Sequence, residues 1–145
     1  MPGVLNGLRV IEGSAFVAAP LGGMTLAQLG ADVIRFDPIA GGLDRHRWPV
    51  TEQGASLFWA GMNKGKRSVR IDLTSPRGRE LVTELITAPG PDCGLFLTNF
   101  PARGFLDYDA LGIAAKSQLL TPALLGIVSP SGSFLAVLLK TLVAG

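Results

Sequence analysis

The sequence predicts an α/β fold: a Rossmann-like, doubly wound and mainly parallel sheet with helices on both faces. Short apolar segments of strand length alternate with segments whose apolar residues recur at helical spacing. Glycine and proline are frequent, with 19 and 10 of the 145 residues, as expected where many short connections join the elements. Strands that alternate with helices pair in parallel and are covered by helices.

The first half of the chain predicts two strands around one helix. Residues 8–11 form a first apolar strand. Apolar residues then recur at near-helical spacing over residues 20–29, and Gly30 is placed to end this helix. Residues 31–36 form the second strand. The polar stretch at 37–55 is too long for an ordinary connection, and such loops usually carry function or cover a face of the domain.

The second half of the chain predicts further strands and helices. Polar and apolar residues alternate at 68–73, which indicates a half-exposed or edge strand. A helix follows from about Pro76, because proline is tolerated in a first helical turn, and it stops at Pro89. The remaining predicted elements are a strand at 93–97, a helix at 107–115 and a strand at 123–128.

The composition excludes several classes of protein. Hydrophobic residues make up 48% of the chain and charged residues only 17%, which excludes intrinsic disorder. The net charge of +2 is too small to predict a nucleic-acid partner. Cys93 is the single cysteine and His46 the single histidine, so a disulfide, a cysteine zinc cluster and a metal site are not expected.

The two ends of the chain bear on its location and partners. The first seven residues carry no positive charge, unlike an export signal, and we expect a cytoplasmic protein. Residues 117–139 are uncharged and long enough to cross a bilayer, but Pro122, Pro130 and the turn-like stretch 129–133 argue against a membrane span. This apolar region instead predicts self-association, as a homodimer or otherwise, unless residues 134–144 fold back as a helix.

The nucleotide-binding motifs are incomplete. Gly13 stands alone where the Rossmann pattern needs three glycines, so NAD is not expected in that manner. Residues 61–67 lack both the glycine spacing and the Lys-Ser/Thr pair of a P-loop. They nevertheless place Lys64, Lys66 and Arg67 in a glycine-containing turn before a strand, which suits phosphate oxygens. A solvated basic turn is the alternative.

Five blocks of the sequence lie in the order and at the intervals of one known family. They are residues 5–12 with the turn 16–20, residues 29–37, Asn63-Lys64-Gly65-Lys66-Arg67-Ser68-Val69 with its continuation to 78, Thr98-Asn99-Phe100-Pro101 and, more weakly, residues 125–129. Together they resemble the N-terminal part of the class III CoA-transferases, which include formyl-CoA transferase, carnitine CoA-transferase and alpha-methylacyl-CoA racemase. The resemblance covers residues 5–110 well and fades by 132. We therefore expect an incomplete CoA-binding domain at 1–132 and a tail of unassigned role at 133–145.

The resemblance implies that the chain binds CoA or an acyl-CoA, and that the full-length family transfers CoA between carboxylic acids. The implied CoA-binding residues are Phe16, Val17, Ala18, Lys64, Lys66, Arg67, Asn99 and Phe100. The first three would present backbone and apolar surface to CoA, the three cations would meet its phosphates, and the last two would line the cofactor path.

The resemblance places catalysis outside this chain. Family members are more than twice as long, and their nucleophilic aspartate, or the His/Asp pair of the racemases, follows the fifth block. Here no acid and no histidine follows Asp109. We therefore expect no catalytic residue and no turnover by the chain alone. Two alternatives stay open: a non-catalytic CoA-binding module, and a self-associating chain without a ligand.

Overall fold

The computed structural model describes residues 3–90, 95–101 and 103–117. The strands of this part are β1 (Arg9–Gly13), β2 (Asp32–Pro38), β3 (Arg67–Ile71) and β4 (Leu95–Thr98). The helices are α1 (Ala18–Gln28), α2 (Leu57–Met62), α3 (Pro76–Thr87) and α4 (Tyr108–Ser117), with a 3-10 turn at Gly104–Leu106.

The four strands form one parallel sheet in the order β3-β2-β1-β4. Val10 in the central strand β1 is paired with Val33 of β2 and with Leu95 of β4. The chain therefore builds outward from β1 to β3 and then crosses back to add β4 on the other side of β1. The predicted parallel α/β fold is confirmed.

Helices cover both faces of the sheet. Successive residues of a strand point to opposite faces, so β1, β2 and β4 supply both apolar layers, whereas the edge strand β3 supplies only one. One layer joins the sheet to α3 and α4 through the buried residues Ile11, Phe36, Phe96, Val82, Ile86 and Leu111. The other layer joins it to α1 and the turn before β2 through Val10, Val33, Leu97, Ala19 and Ala31. The expected helices on both faces are confirmed.

Two helix ends follow from the residues that the sequence places there. After α1, Gly30 has a φ of 105°, a left-handed conformation that glycine adopts without steric cost, and the helix stops. Before α3, the Ser75 hydroxyl accepts a hydrogen bond from the Gly78 N–H at 3.0 Å, and Pro76 occupies the first turn, where no partner for its missing N–H is needed.

Several sequence predictions meet a different outcome. The short helix α2 was not among the predicted elements, and β2 extends past the predicted end at residue 36 to Pro38. β3 lies at an edge of the sheet, as predicted. The predicted strand at 123–128 and the tail at 133–145 lie outside the described residues, so self-association stays a prediction. No helix in the described ranges is long and apolar enough to cross a membrane.

Candidate functional site

The carboxyl ends of β1 and β4 lie side by side and define the candidate site. Gly13 at the end of β1 is paired with Thr98 at the end of β4. The chain leaves β1 toward β2, whereas β4 lies on the opposite side of β1, so the segments that follow these two strands diverge. Open α/β sheets bind ligands in the crevice at such a reversal of strand order. We call the segment Ser14–Val17, which follows β1, the β1 loop.

Asn99, directly after β4, fastens the β1 loop from one side. Its Oδ1 accepts a hydrogen bond from the Ala15 N–H at 2.9 Å, and its Nδ2 donates to the Ala15 carbonyl oxygen at 2.7 Å. A side-chain amide that satisfies both backbone groups of one residue acts like a neighbouring strand. Asn99 thus continues the pairing of β1 with β4 beyond the end of the sheet.

Asp44, from the long loop after β2, fastens the β1 loop from the other side. Its Oδ2 accepts a hydrogen bond from the Phe16 N–H at 2.9 Å. Phe16 has a φ of 66°, a conformation that is strained for a residue with a β-carbon and persists only where the surroundings enforce it. The hydrogen bonds at Ala15 and Phe16 supply that enforcement, and the Phe16 side chain is left half exposed.

Beneath the β1 loop lies a buried group of charged and polar side chains centred on Arg35. We call it the Arg35 cluster, and its members are Glu12, Ser14, Arg35, Asp37, Asp44, Asn63 and Lys66. Nitrogens of the Arg35 guanidinium lie 3.4, 3.1 and 3.5 Å from carboxylate oxygens of Glu12, Asp37 and Asp44. Arg35 also donates to the Ser14 carbonyl oxygen at 2.8 Å and to Asn63 Oδ1 at 3.1 Å.

The Arg35 cluster couples the sheet to the β1 loop. The Arg35 side chain is only 1% exposed, and a buried guanidinium is tolerated only when it is paired and hydrogen-bonded in this way. Two of the partners of Arg35 bear on the β1 loop. Ser14 is part of the loop, and the carboxylate of Asp44 accepts a hydrogen bond from the Phe16 N–H. The position of the loop is therefore tied to the ionic contacts of β2.

Lys66 completes the Arg35 cluster from the turn before β3. Its ammonium donates to Glu12 Oε1 at 2.9 Å, to the Pro20 carbonyl oxygen at 2.8 Å and to Asn63 Oδ1 at 3.0 Å, which uses all three N–H groups. Burial raises the pKa of Glu12, and the charge of Lys66 only partly offsets this effect. Burial lowers the pKa of Lys66, partly offset by Glu12.

The three cations expected to meet phosphates separate in the structure. Lys64 and Arg67 are exposed, and Arg67 forms an exposed ion pair with Asp32 at 2.8 Å. Lys66 turns inward, because the buried carboxylate of Glu12 attracts it, so its donors are not free for a phosphate. The Lys66 side chain reaches the Pro20 carbonyl oxygen in the first turn of α1, whereas Gly65 of the turn itself lies close to Ala27 in the last turn of that helix.

The other residues implied by the resemblance lie at the crevice. Phe16, Val17 and Ala18 are exposed, at the β1 loop and the start of α1. Asn99 and Phe100 are half-buried directly after β4. The structure therefore brings the segment 16–18 and the segment 99–100 together, through the contact between Ala15 and Asn99.

The sequence analysis did not identify the buried residues that support the β1 loop. Arg35 was taken as part of an apolar strand and Glu12 directly followed one, although a charged residue in such a setting is a signal of a buried ionic contact. Asp44 lies in the long loop after β2, where no periodic pattern singles out one residue. His46, also in that loop, is exposed. Cys93 lies outside the described residues.

The crevice is suited to binding an elongated ligand. Exposed apolar surface at Phe16 and Val17 suits an uncharged arm. The cations Lys64 and Arg67 lie outside the crevice, on the turn before β3 toward the amino ends of β1 and β2, and suit an anionic end of such a ligand through charge-assisted hydrogen bonds. In the described part of the chain no three histidine, cysteine, aspartate or glutamate side chains are grouped to hold a metal ion.

Comparison with known proteins identifies relatives with the same fold and sequence blocks. The chain is 75% identical over 112 residues to the 2-methylfumaryl-CoA isomerase of Chloroflexus aurantiacus, which covers 77% of this chain and 27% of that protein. It is 34% identical over 116 residues to the succinate–glutarate CoA-transferase of Agrobacterium fabrum, covering 75% and 29%.

A solved structure agrees with this relationship. The CaiB/BaiF family protein of Brucella suis superposes with a TM-score of 0.69 at 31% identity, covering 87% of this chain and 33% of that one. The chain thus spans 27 to 33% of the length of these relatives. Residues 5–107 match the model of CoA-transferase family III. The chain therefore belongs to CoA-transferase family III.

Proposed function

We propose that this chain is the CoA-binding region of an enzyme that acts on the CoA thioester of a dicarboxylic acid. Its 75% identical relative is named for 2-methylfumaryl-CoA, and 2-methylfumarate is a dicarboxylate. The Agrobacterium relative is named a CoA-transferase, so transfer of CoA between two acids is the second candidate activity of the whole protein. The observation that carries the proposal is the β1 loop, held open at the crevice by Asn99 and Asp44.

The β1 loop would receive the uncharged arm of CoA. Phe16 and Val17 are exposed although they are apolar, and Ala18 is small enough for a ligand to approach the backbone closely. Asn99 would position this loop, and Phe100 would line the path from the other side of the crevice. A ligand arm that covers exposed apolar surface gains affinity from its burial.

The turn before β3 would receive the phosphates. Lys64 and Arg67 are its exposed cations. The guanidinium of Arg67 pairs with Asp32, and because both side chains are exposed, a phosphate would readily replace the carboxylate in this pair. Lys66 would act from inside, because its bonds to Glu12 and Pro20 hold the turn against α1.

These 145 residues would bind CoA without turning over a thioester. In the family that the chain resembles, the acyl group passes to an aspartate after the fifth block, whereas the last acid of this sequence is Asp109. The carboxylates of the Arg35 cluster are buried and paired with cations, which makes them poor nucleophiles.

Calorimetric titration of the 145-residue chain with free CoA tests the proposal. We expect saturable binding, weakened about tenfold or more by the double substitution of Lys64 and Arg67 with alanine, since each removes a charge-assisted hydrogen bond. Arg77→Ala is the matched control, because Arg77 is an exposed cation on α3, against the opposite face of the sheet. Absence of saturable binding, or equal affinities of the double variant and the control, would contradict the proposal.

A further inference from the structure

Arg47 lies beside the β1 loop with its guanidinium stacked on aromatic rings. Its Cζ atom lies 4.5 Å from the centroid of the Phe58 ring and 5.9 Å from that of the Phe16 ring. Both distances are within the range of a favourable interaction between a cation and a ring. The charge of Arg47 is thereby held at the edge of the crevice, next to the residue of the β1 loop that has the left-handed conformation.

Arg47 differs from the other positioned cations of the described residues in what it contacts. Arg35, Lys66, Arg67 and Arg77 each pair with a carboxylate, and Arg79 donates hydrogen bonds to the backbone carbonyl oxygens of Leu73 and Thr74. Within the described ranges, the Arg47 guanidinium pairs with no carboxylate and donates no hydrogen bond. The residue is exposed, and a guanidinium has five N–H donors. Because this guanidinium is held in place and has no anionic partner among the described residues, it is suited to binding an anionic group of a ligand.

The backbone of Arg47 is tied to the same structure that shapes the β1 loop. Its N–H donates to the Asp44 carbonyl oxygen at 3.1 Å, while the Asp44 carboxylate accepts from Phe16. Its own carbonyl oxygen accepts a hydrogen bond from the Ser56 hydroxyl. Arg47 and the β1 loop therefore keep a defined relative position, as a residue that selects among ligands must.

We infer that Arg47 binds the free carboxylate of the acyl group and so selects CoA thioesters of dicarboxylic acids; this inference rests on the proposed function. Stacking occupies the face of a guanidinium and leaves the N–H donors in its plane free. Those donors match the two oxygens of a carboxylate in a bidentate pair. Lys64 and Arg67 lie on a different element, the turn before β3, which leaves Arg47 for the acyl end.

Two stable thioethers of CoA separate recognition of the acyl carboxylate from recognition of CoA. S-(3-carboxypropyl)-CoA and S-butyl-CoA differ only in a terminal carboxylate or methyl group. In calorimetric titrations of the 145-residue chain, we expect the carboxylated compound to bind about tenfold or more tightly, as a charge-assisted bidentate contact implies.

Arg47→Gln should abolish this preference while leaving the affinity for S-butyl-CoA unchanged, and Arg47→Lys should restore part of it. Arg45→Gln is the matched control, since it removes one positive charge from the same loop, and the preference should survive. Thermal unfolding of each variant verifies that the fold is intact.

Three results would overturn the inference. Equal affinities of the unsubstituted chain for the two thioethers would show that no carboxylate is recognised, even where free CoA binds as proposed. Equal weakening of both thioethers by Arg47→Gln would assign Arg47 to the CoA phosphates or to the loop structure. Failure of free CoA and both thioethers to bind would refute the proposed function and the inference together.

Discussion

Gly23 of α1 lies against the Arg35 cluster with no room for a methyl group. A β-carbon at this position would lie 1.7 Å from Glu12 Oε2 and 3.3 Å from Lys66 Cε. Glu12 cannot easily move away, because its carboxylate is bonded to Lys66, Ser14 and Arg35. The close approach of α1 to β1 at this point therefore depends on glycine.

Gly23→Ala should lower the free energy of unfolding by about 1–3 kcal/mol, the usual cost of overpacking a core. This loss should appear although alanine favours a helix over glycine by about 1 kcal/mol. Gly22→Ala is the matched control, since its β-carbon would meet only Leu97 Cδ2 at 3.8 Å, an ordinary contact. Urea denaturation measures both variants, and equal changes in stability would contradict the steric argument.

Residues of the site differ in how much of their role the sequence reveals. Asn99 was predicted to line the cofactor path from its place in a family block; the structure places it directly after β4, bonded to Ala15, and its contact with CoA stays a prediction. Lys66 was predicted to face a phosphate because it shares a turn with two other cations, but its side chain points inward. The composition of a turn does not reveal the direction of each of its side chains. That direction depends on Glu12, which is 54 residues away in sequence.

At the scale of elements, the start of α3 is set by its N-terminal capping residue, Ser75. The Ser75 hydroxyl accepts from the Gly78 N–H at 3.0 Å and so satisfies one of the free donors of the first turn. Ser75→Ala should lower the free energy of unfolding by about 1 kcal/mol, measured by urea denaturation. Ser68→Ala on the edge strand β3 is the control, because Ser68 is exposed and no hydroxyl bond of Ser68 occurs in the described residues. A control loss as large as that of Ser75→Ala would contradict the capping role.

The helices that the sequence predicted are those with enough residues to show a pattern. α3 has 12 residues with an apolar face and signals at both ends, and its predicted limits agree with the structure within a few residues. α2 has only six residues, LFWAGM, too few to distinguish a helix from other chain, and its start depends on the cap Ser56. Length of the repeating pattern, rather than composition, separates the predicted helices from the missed one.

At the scale of the whole molecule, burial of the Arg35 cluster links stability to pH. Burial raises the pKa of Glu12, whose carboxylate faces Lys66, Arg35 and Ser14. Between the ordinary and the raised pKa, the native state binds more protons than the unfolded state, so this residue's contribution to stability falls as pH rises. Lys66 has the opposite sign, since its lowered pKa adds stability as pH rises toward the ordinary lysine value.

Glu12→Gln isolates this effect. At acidic pH the variant should be about as stable as the unsubstituted chain, because the glutamine amide resembles the protonated Glu12 carboxyl. As pH rises above the ordinary glutamate pKa, the free energy of unfolding of the unsubstituted chain should fall relative to that of the variant, because only the unsubstituted chain ionises a buried carboxyl. Chemical denaturation at a series of pH values measures this difference. A gain in stability of the unsubstituted chain over the variant with rising pH would contradict the assigned direction of the Glu12 pKa.

The order of the sheet explains why the fold was predictable and the crevice was not. Alternating strands and helices imply parallel pairing, which needs no knowledge of distant contacts. The crevice depends on β4 returning to lie beside β1, and on the long loop after β2 reaching Phe16 through Asp44. Both contacts join segments that are far apart in sequence. A single sequence does not show which distant residues lie next to one another.

The two anchors of the β1 loop also set the order in which the site can form. Asp44 lies 28 residues after Phe16, and Asn99 lies 84 residues after Ala15. Closing the longer of these loops costs more chain entropy, and contacts of large sequence separation form late in folding. A nascent chain that has emerged only through α3 therefore contains the β1 loop and its anchor Asp44, but lacks the second anchor, Asn99. The crevice is completed only when β4 docks against β1 and brings Asn99 to the loop.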